Sequence, residues 1–252
     1  MGIVPGKLGV LLLNRVTHGG TTSMYPDVAL AYQNRSKLEV LMGSNIWPAI
    51  RGRTVLDFGC GKGDEAVEMA RRGAARVIGL EINPMWLDIA RRTAEVQGVS
   101  NRCTFATEWQ EPVDLVVSLD SFEHFADPAD VLGRMNDLLK PGGRILVSFG
   151  PTWFHPLGGH FYSVFPWSHL VFSEKALIQW RSLYKEDRPR TIEESGLNRM
   201  TIRRFRRLVS ESPLAVEMFE AVPIRKLRRL HTPLTREFTT AIVRCTLLKP
   251  QR

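Results

Sequence analysis

A strand-like run that breaks into three closely spaced glycines constrains this chain more than any other feature. It reads Val55-Leu56-Asp57-Phe58-Gly59-Cys60-Gly61-Lys62-Gly63, and a helix-like stretch, Asp64 to Arg72, follows. Glycines at alternate positions let a backbone turn sharply and approach a ligand that a Cβ would push away. A second strand-like run, Arg76 to Leu80, ends at the acid Glu81. Glycines under a ligand and a carboxylate about twenty residues on, placed to accept from ribose hydroxyls, make the layout of a nucleoside site. A tight βα turn with no ligand is the plain alternative, and the added Asp57 and Glu81 weigh against it.

Two ligand classes use this layout. Dinucleotide enzymes place a third glycine where the helix starts, with the helix N-terminus facing a pyrophosphate. Here that position is Asp64, and an acid there repels a pyrophosphate. Asp57, ahead of the turn, also suits a cationic ligand. The run therefore resembles the S-adenosyl-L-methionine (AdoMet) motif of the class I methyltransferases, hydrophobic-hydrophobic-Asp-x-Gly-x-Gly-x-Gly. A second stretch is similar to the same family. Asp114 to Phe125 looks like its fourth strand and following loop, and Leu138-Leu139-Lys140-Pro141-Gly142-Gly143 before a hydrophobic strand is characteristic of its small-molecule members. The resemblance covers about Arg53 to Gly150.

The pattern along the chain agrees. Strand-like runs at Thr54–Phe58, Arg76–Leu80, Cys103–Ala106, Val113–Leu119 and Arg144–Phe149 alternate with helical stripes. Asn83-Pro84 and Asp127-Pro128 read as N-cap plus first helical residue, and Gly98 as a helix end. Strand–helix repetition implies a doubly wound, mostly parallel α/β sheet. The resemblance implies seven strands, the last inserted antiparallel, with Val216–Val222 and Thr240–Leu248 as the remaining two. Residues 1–50 read as a leader and helical cap. The leader shows no clear pattern to about Thr22, apart from the apolar Leu8–Leu13, which reads as a short helix packing on the domain with a weak surface anchor as the alternative, and one helix is expected from Asp27 to Gly43. Residues 51–252 form the main domain, with an insert at about 151–211.

The resemblance places Asp57, Gly59, Cys60, Gly61 and Gly63 around the methionine part of AdoMet. It puts Glu81 on the ribose hydroxyls and Ile82 on the adenine. Glu108 is the nearest candidate for the adenine amino group, and Ser118, Leu119 and Asp120 line the reactive end. Asp120 reads equally as an N-cap. His124 is the candidate general base, since an imidazole titrates near working pH; a helix-start role in its loop stands beside that reading. The aromatic, histidine-rich segment Pro151 to His169 follows a strand's carboxyl end, where open α/β sheets place substrates. It is expected to act as a substrate lid, with His155 and His160 as further catalytic candidates and His169 as a hydrogen-bonding group. The alternative is a packed loop whose histidines are satisfied by backbone. No metal site is expected, because the three lid histidines match no ligand spacing and no carboxylate lies among them.

Net charge is +8 and the pI about 9.7, which favours anionic partners. Thr201 and the apolar Ile202, Phe205, Leu208 and Val209 turn the arginine-rich run at 199–209 into an amphipathic helix with a solvated basic face. Arg225, Lys226, Arg228 and Arg229 form a second basic cluster. Three scattered cysteines, Cys60, Cys103 and Cys245, fit a reducing compartment, and no run is long enough to span a membrane. The expected protein is a cytoplasmic AdoMet-dependent methyltransferase acting on O, N or C of a small or medium acceptor, anionic acceptors included. RNA methylation and a non-catalytic AdoMet-binding regulator are the rivals. An NAD oxidoreductase is disfavoured by Asp64.

Overall fold

The structure is a computed structural model describing residues 2–17, 32 and 35–251. Seven strands form one sheet in the order β3-β2-β1-β4-β5-β7-β6. They are β1 Thr54–Phe58, β2 Arg76–Leu80, β3 Cys103–Ala106, β4 Val113–Leu119, β5 Leu139–Phe149, β6 Ala215–Pro223 and β7 Thr240–Leu248. The first five run parallel, and β7 is antiparallel to both β5 and β6. The expected doubly wound sheet with an inserted antiparallel strand is therefore present. One difference lies at the start of β5. Pro141-Gly142-Gly143 does not precede the strand but bulges within it, as pairing steps from Val113↔Leu139 to Leu115↔Arg144.

Alternation along the strands splits the core in two. On one face Leu56, Ile78 and Val116 pack against Leu132, Met135 and Leu138 of one helix and Ile202, Phe205 and Val209 of another. On the other, Val55, Val77, Leu115 and Val117 pack against Ala66, Val67, Leu87 and Ala90. The helices are α1 Gly6–Val16, α2 Lys37–Met42, α3 Ile46–Ile50, α4 Asp64–Arg71, α5 Pro84–Val96, α6 Pro128–Leu138, α7 Ser168–Val171, α8 Glu174–Arg181, α9 Ile202–Ser210 and α10 Arg236–Thr239. Asn83 and Asp127 cap α5 and α6 through their side chains, each with Pro at the first position, and Thr201 caps α9.

The apolar run Leu8–Leu13, read as a short packed helix, lies in α1, whose Leu13 is fully buried beside Phe172 and Ala176. Gly9 makes this contact possible, since a Cβ there would sit 2.7 Å from the Ala176 Cβ. Of the helix expected from Asp27 to Gly43, the described part is α2, capped by Ser36, which accepts the Glu39 N–H; residues 27–31, 33 and 34 lie outside the described residues. With Tyr162, Leu177, Trp180 and Ile192, α1 gives the insert a third, separate core.

Candidate functional site

The site grows from the end of β1. Asp57 shares a sheet face with Val55 and is the last polar group before the turn. The Gly59 and Cys60 N–H groups both donate to the Leu80 carbonyl at 2.9 Å, which folds the turn over the end of β2. The Gly61 N–H donates to Glu81 Oε2 at 3.1 Å and the Asn83 N–H to Oε1 at 2.9 Å. Two backbone donors thus fix the Glu81 carboxylate and still leave it lone pairs for a ligand.

The three glycines, all at positive φ, do different work. A Cβ on Gly61 would meet only the edge of Trp86, at 3.9 Å, so this residue faces open space. A Cβ on Gly59 would press on the Ser121 hydroxyl at 3.0 Å. A Cβ on Gly63 would lie 2.6 Å from the Ala90 Cβ, so Gly63 lets α4 pack against α5.

A cavity of about 820 Å³ opens here, within the range of small-molecule sites. Among the residues singled out from sequence, Asp57, Gly59, Cys60, Gly61, Glu81, Ile82, Leu119, Asp120 and His124 are brought together on its lining. Gly63, Glu108 and Ser118 are not. Gly63 is a packing residue, Glu108 is exposed beyond the rim while its neighbour Thr107 lines the wall, and Ser118 is wholly buried in β4. Ile82 is 89% exposed and Trp86 41%. Both lie on the cavity wall and offer apolar surface to a flat ring.

Electrostatics set the ligand's sign. Asp57, Asp64, Glu65, Glu81 and Asp120 line the cavity against Lys37, Lys62 and Arg134. Asp57 is buried, and its Oδ2 has no hydrogen-bond partner. Burial, then the charges of Glu65 and Glu81, push its pKa up to about 8, with Lys37 opposing. A buried carboxylate held in this way gains from a cation beside it. Lys37, on α2, lies 3.3 Å from Asp120 and 3.7 Å from Glu65. Burial works to lower its pKa, but Glu65 and Asp120 outweigh it and the net shift is upward. Lys37 and Glu65 were not singled out from sequence. They read as ordinary helix-surface residues until α2 is laid across the cavity.

The loop after β4 is held from the insert. Asp120 sits at φ 49° and donates its N–H to the Ser148 carbonyl at 2.8 Å. Asn198 Nδ2 donates to the Phe122 and Phe125 carbonyls at 2.7 and 2.8 Å. His124 is exposed at the cavity edge, and its Nδ1–H donates to the Gly196 carbonyl at 2.7 Å. That bond fixes the tautomer and leaves Nε2 able to accept a proton.

The lid segment behaves differently from its expectation. None of residues 151–169 lines the cavity. His155 Nδ1 accepts the Leu157 N–H at 2.9 Å, and His169 Nε2–H donates to the Trp153 carbonyl at 2.7 Å. Burial lowers both imidazoles to a pKa of about 4. Each of these two histidines is engaged by a backbone group through one ring nitrogen, and His169 Nδ1 is buried without a partner. His160, also off the cavity lining, packs its ring 5.3 Å from that of His124 at the cavity's edge. Burial and the neighbouring His124 lower it to about 3, so it is neutral at ordinary pH.

This sheet order, with a glycine turn after β1 and an acid-lined cavity at the strands' carboxyl ends, defines a class I methyltransferase architecture. Residues 30–216 match the methyltransferase domain family, and the chain belongs to the AdoMet-dependent methyltransferases. AdoMet is the cofactor of that family. The chain is 31% identical over 145 residues to the ribosomal protein L11 methyltransferase of Photobacterium profundum, covering 57% of this chain and 45% of that protein. It is 37% identical over 103 residues to the ubiquinone biosynthesis O-methyltransferase of Aeromonas salmonicida, covering 38% and 43%. The chain thus spans less than half the length of these curated relatives. In fold it is similar to the AdoMet-dependent methyltransferase of Mesorhizobium loti, with a TM-score of 0.53 and 19% identity over 82% of this chain and 98% of the other.

The residues present fit AdoMet. The partnerless Asp57 Oδ2 suits a cationic ligand, Gly61 leaves room for close approach, and Ile82 and Trp86 offer an apolar face.

Proposed function

We propose that the protein transfers the methyl group of AdoMet to an oxygen or nitrogen of a small acceptor, with a hydroxyl favoured. His124 carries this reading. Its imidazole is exposed on the cavity wall next to Asp120, and the Nδ1–H bond to Gly196 turns an unprotonated nitrogen toward an acceptor. Asp57 takes the cationic methionine end, Gly59, Cys60 and Gly61 frame it, Glu81 accepts from the ribose hydroxyls, and Ile82 with Trp86 packs on the adenine. Leu119 and Asp120 border the reactive end, and Lys37 covers it. The bound cofactor supplies a methyl already activated by its sulfonium, so the protein's work is positioning and removal of the acceptor proton. The O-methyltransferase relative from Aeromonas salmonicida is in keeping with a hydroxyl acceptor.

The test is an acceptor screen, phenols and anionic metabolites first, read by S-adenosylhomocysteine release and by mass of the methylated product. His124→Ala is expected to lower turnover without loosening AdoMet. Equal turnover by the variant and its parent would make His124 structural.

RNA stands as a second reading on one observation. The cluster at Arg225–Leu230 forms an exposed 3-10 helix between β6 and β7, with none of its side chains buried. RNA binding that weakens steeply with salt would support it.

A further inference from the structure

Three groups in this molecule meet with no local spacing to announce them. Glu123 and His124 stand in the loop after β4, and His160 lies in the insert. One ligand-type atom from each lies within 4.8 Å of the other two. Both imidazoles are oriented by backbone. His124 Nδ1–H donates to the Gly196 carbonyl at 2.7 Å, and His160 Nδ1–H to the Gly158 carbonyl at 3.2 Å. A carbonyl can only accept, so in each neutral ring the lone pair sits on Nε2. A backbone bond on one ring nitrogen that fixes the tautomer and presents the other is the usual outer support of a metal-ligating histidine.

Glu123 supplies the independent observation. Its side chain is buried, with the residue 3% exposed. Oε1 accepts the Gly150 N–H at 3.0 Å, and Oε2 has no hydrogen-bond partner. Burial, then the charge of Asp120, pushes its pKa up to about 8, against backbone hydrogen bonds and the charge of Lys37. A buried carboxylate oxygen with no hydrogen-bond partner is unfavourable unless something positive sits beside it.

We propose that Glu123, His124 and His160 form a binding site for one divalent transition-metal cation, such as Mn2+ or Zn2+, at the edge of the AdoMet cavity. Two imidazoles and one carboxylate suit this class better than Mg2+ or Ca2+, which favour all-oxygen sets. Glu123 and His160 close the site on the protein side, while exposed His124 leaves it open toward the cavity, as a site that also takes water or substrate requires. The cation's service to the reaction rests on the methyl-transfer reading. It draws an acceptor hydroxyl to the reactive end and lowers its pKa. With the cation bound, His124 Nε2 is a ligand, and the proton removal that otherwise falls to it passes to the cation and solvent: the hydroxyl proton leaves to solvent, the new O–C bond forms as the sulfonium C–S bond breaks, and S-adenosylhomocysteine departs. An acceptor with two adjacent oxygens fits such a site best.

The test uses the full chain, stripped with a chelator and desalted, then titrated with MnCl2 and separately with ZnCl2 by calorimetry. Metal analysis after equilibrium dialysis gives the stoichiometry. One equivalent is expected to bind the parent. Glu123→Gln and His124→Ala are each expected to weaken binding by at least about tenfold to a hundredfold. His231→Gln, remote from the cluster, controls for adventitious histidine binding and should bind like the parent. Because Glu123 is buried, every variant is also titrated with AdoMet. Retained AdoMet binding shows that the fold is intact, and exposed His124 gives a substitution that leaves the core alone. If the parent takes up no stoichiometric ion, or if Glu123→Gln and His124→Ala bind it as the parent does, the site is refuted and a shared proton holds the cluster together. An ion that binds while no acceptor is methylated leaves the cation site standing and sinks the methyl-transfer reading instead.

Discussion

Asp57 and Gly61 divide the work at the turn. Asp57 gives cofactor binding a pH dependence whose sign is fixed. Its pKa in the free protein is raised from 3.8 to about 8. It therefore contributes stability at low pH, which is lost as pH rises from about 4 through about 8. A cationic ligand favours the carboxylate, so binding near neutrality expels a proton. AdoMet affinity is expected to rise between pH 6 and 8, by up to about tenfold per unit for one proton. Asp57→Asn should flatten the profile. Calorimetry in two buffers of different ionisation enthalpy reads the proton directly, and an absence of release would put Asp57 outside the cofactor's reach. The glycines separate in the same way. Gly61→Val should block AdoMet and leave a folded protein, at a cost of about 1–2 kcal/mol for the positive φ. Gly63→Ala should unfold more readily, because its Cβ would collide with Ala90. Thermal melts with and without AdoMet tell the two apart.

Elements show why some of this is legible in sequence and some is not. β1, β2, β3 and β4 have the bounds expected from the strand-like runs, β7 those the resemblance implied, and α5, α6 and α9 start at the capping residues read from sequence. Asp57, Gly61 and Glu81 fall within one strand–helix–strand unit, so their spacing reports their meeting. Asn198, Lys37 and the pairing of Glu123 with His160 depend on packing between distant segments, which no local pattern records. The lid histidines misled for a related reason. An aromatic, histidine-rich loop reads as a substrate wall, but backbone groups engage His155 and His169 first. Asn198 is the clearest test at this scale. Asn198→Ala strands two loop carbonyls and should cost about 1–3 kcal/mol. Turnover should fall further than AdoMet binding, since the loop carries His124. Denaturant melts beside kinetics check this.

The whole molecule is a methyltransferase sheet with a cap assembled from both ends of the sequence. α1 and the insert share a core apart from the two sheet-face cores. Leu13→Ala should therefore destabilise the protein by about 2–5 kcal/mol. Hydrogen exchange should show the loosening concentrated in α8 and in the segment that holds His160, with β1 and β2 little changed. Uniform loosening across the sheet would mean that the cap has no separate stability. No helix among the described residues is long and apolar enough to cross a membrane.

The central claim is that an acidic cavity at the end of β1 takes a cationic adenosyl cofactor. Calorimetric titration of the purified protein with AdoMet, S-adenosylhomocysteine and NAD tests it most directly. Binding of both adenosyl ligands and no binding of NAD is the predicted result, with AdoMet binding lost in Gly61→Val. NAD bound in preference to AdoMet, or AdoMet bound equally by Gly61→Val, would contradict it.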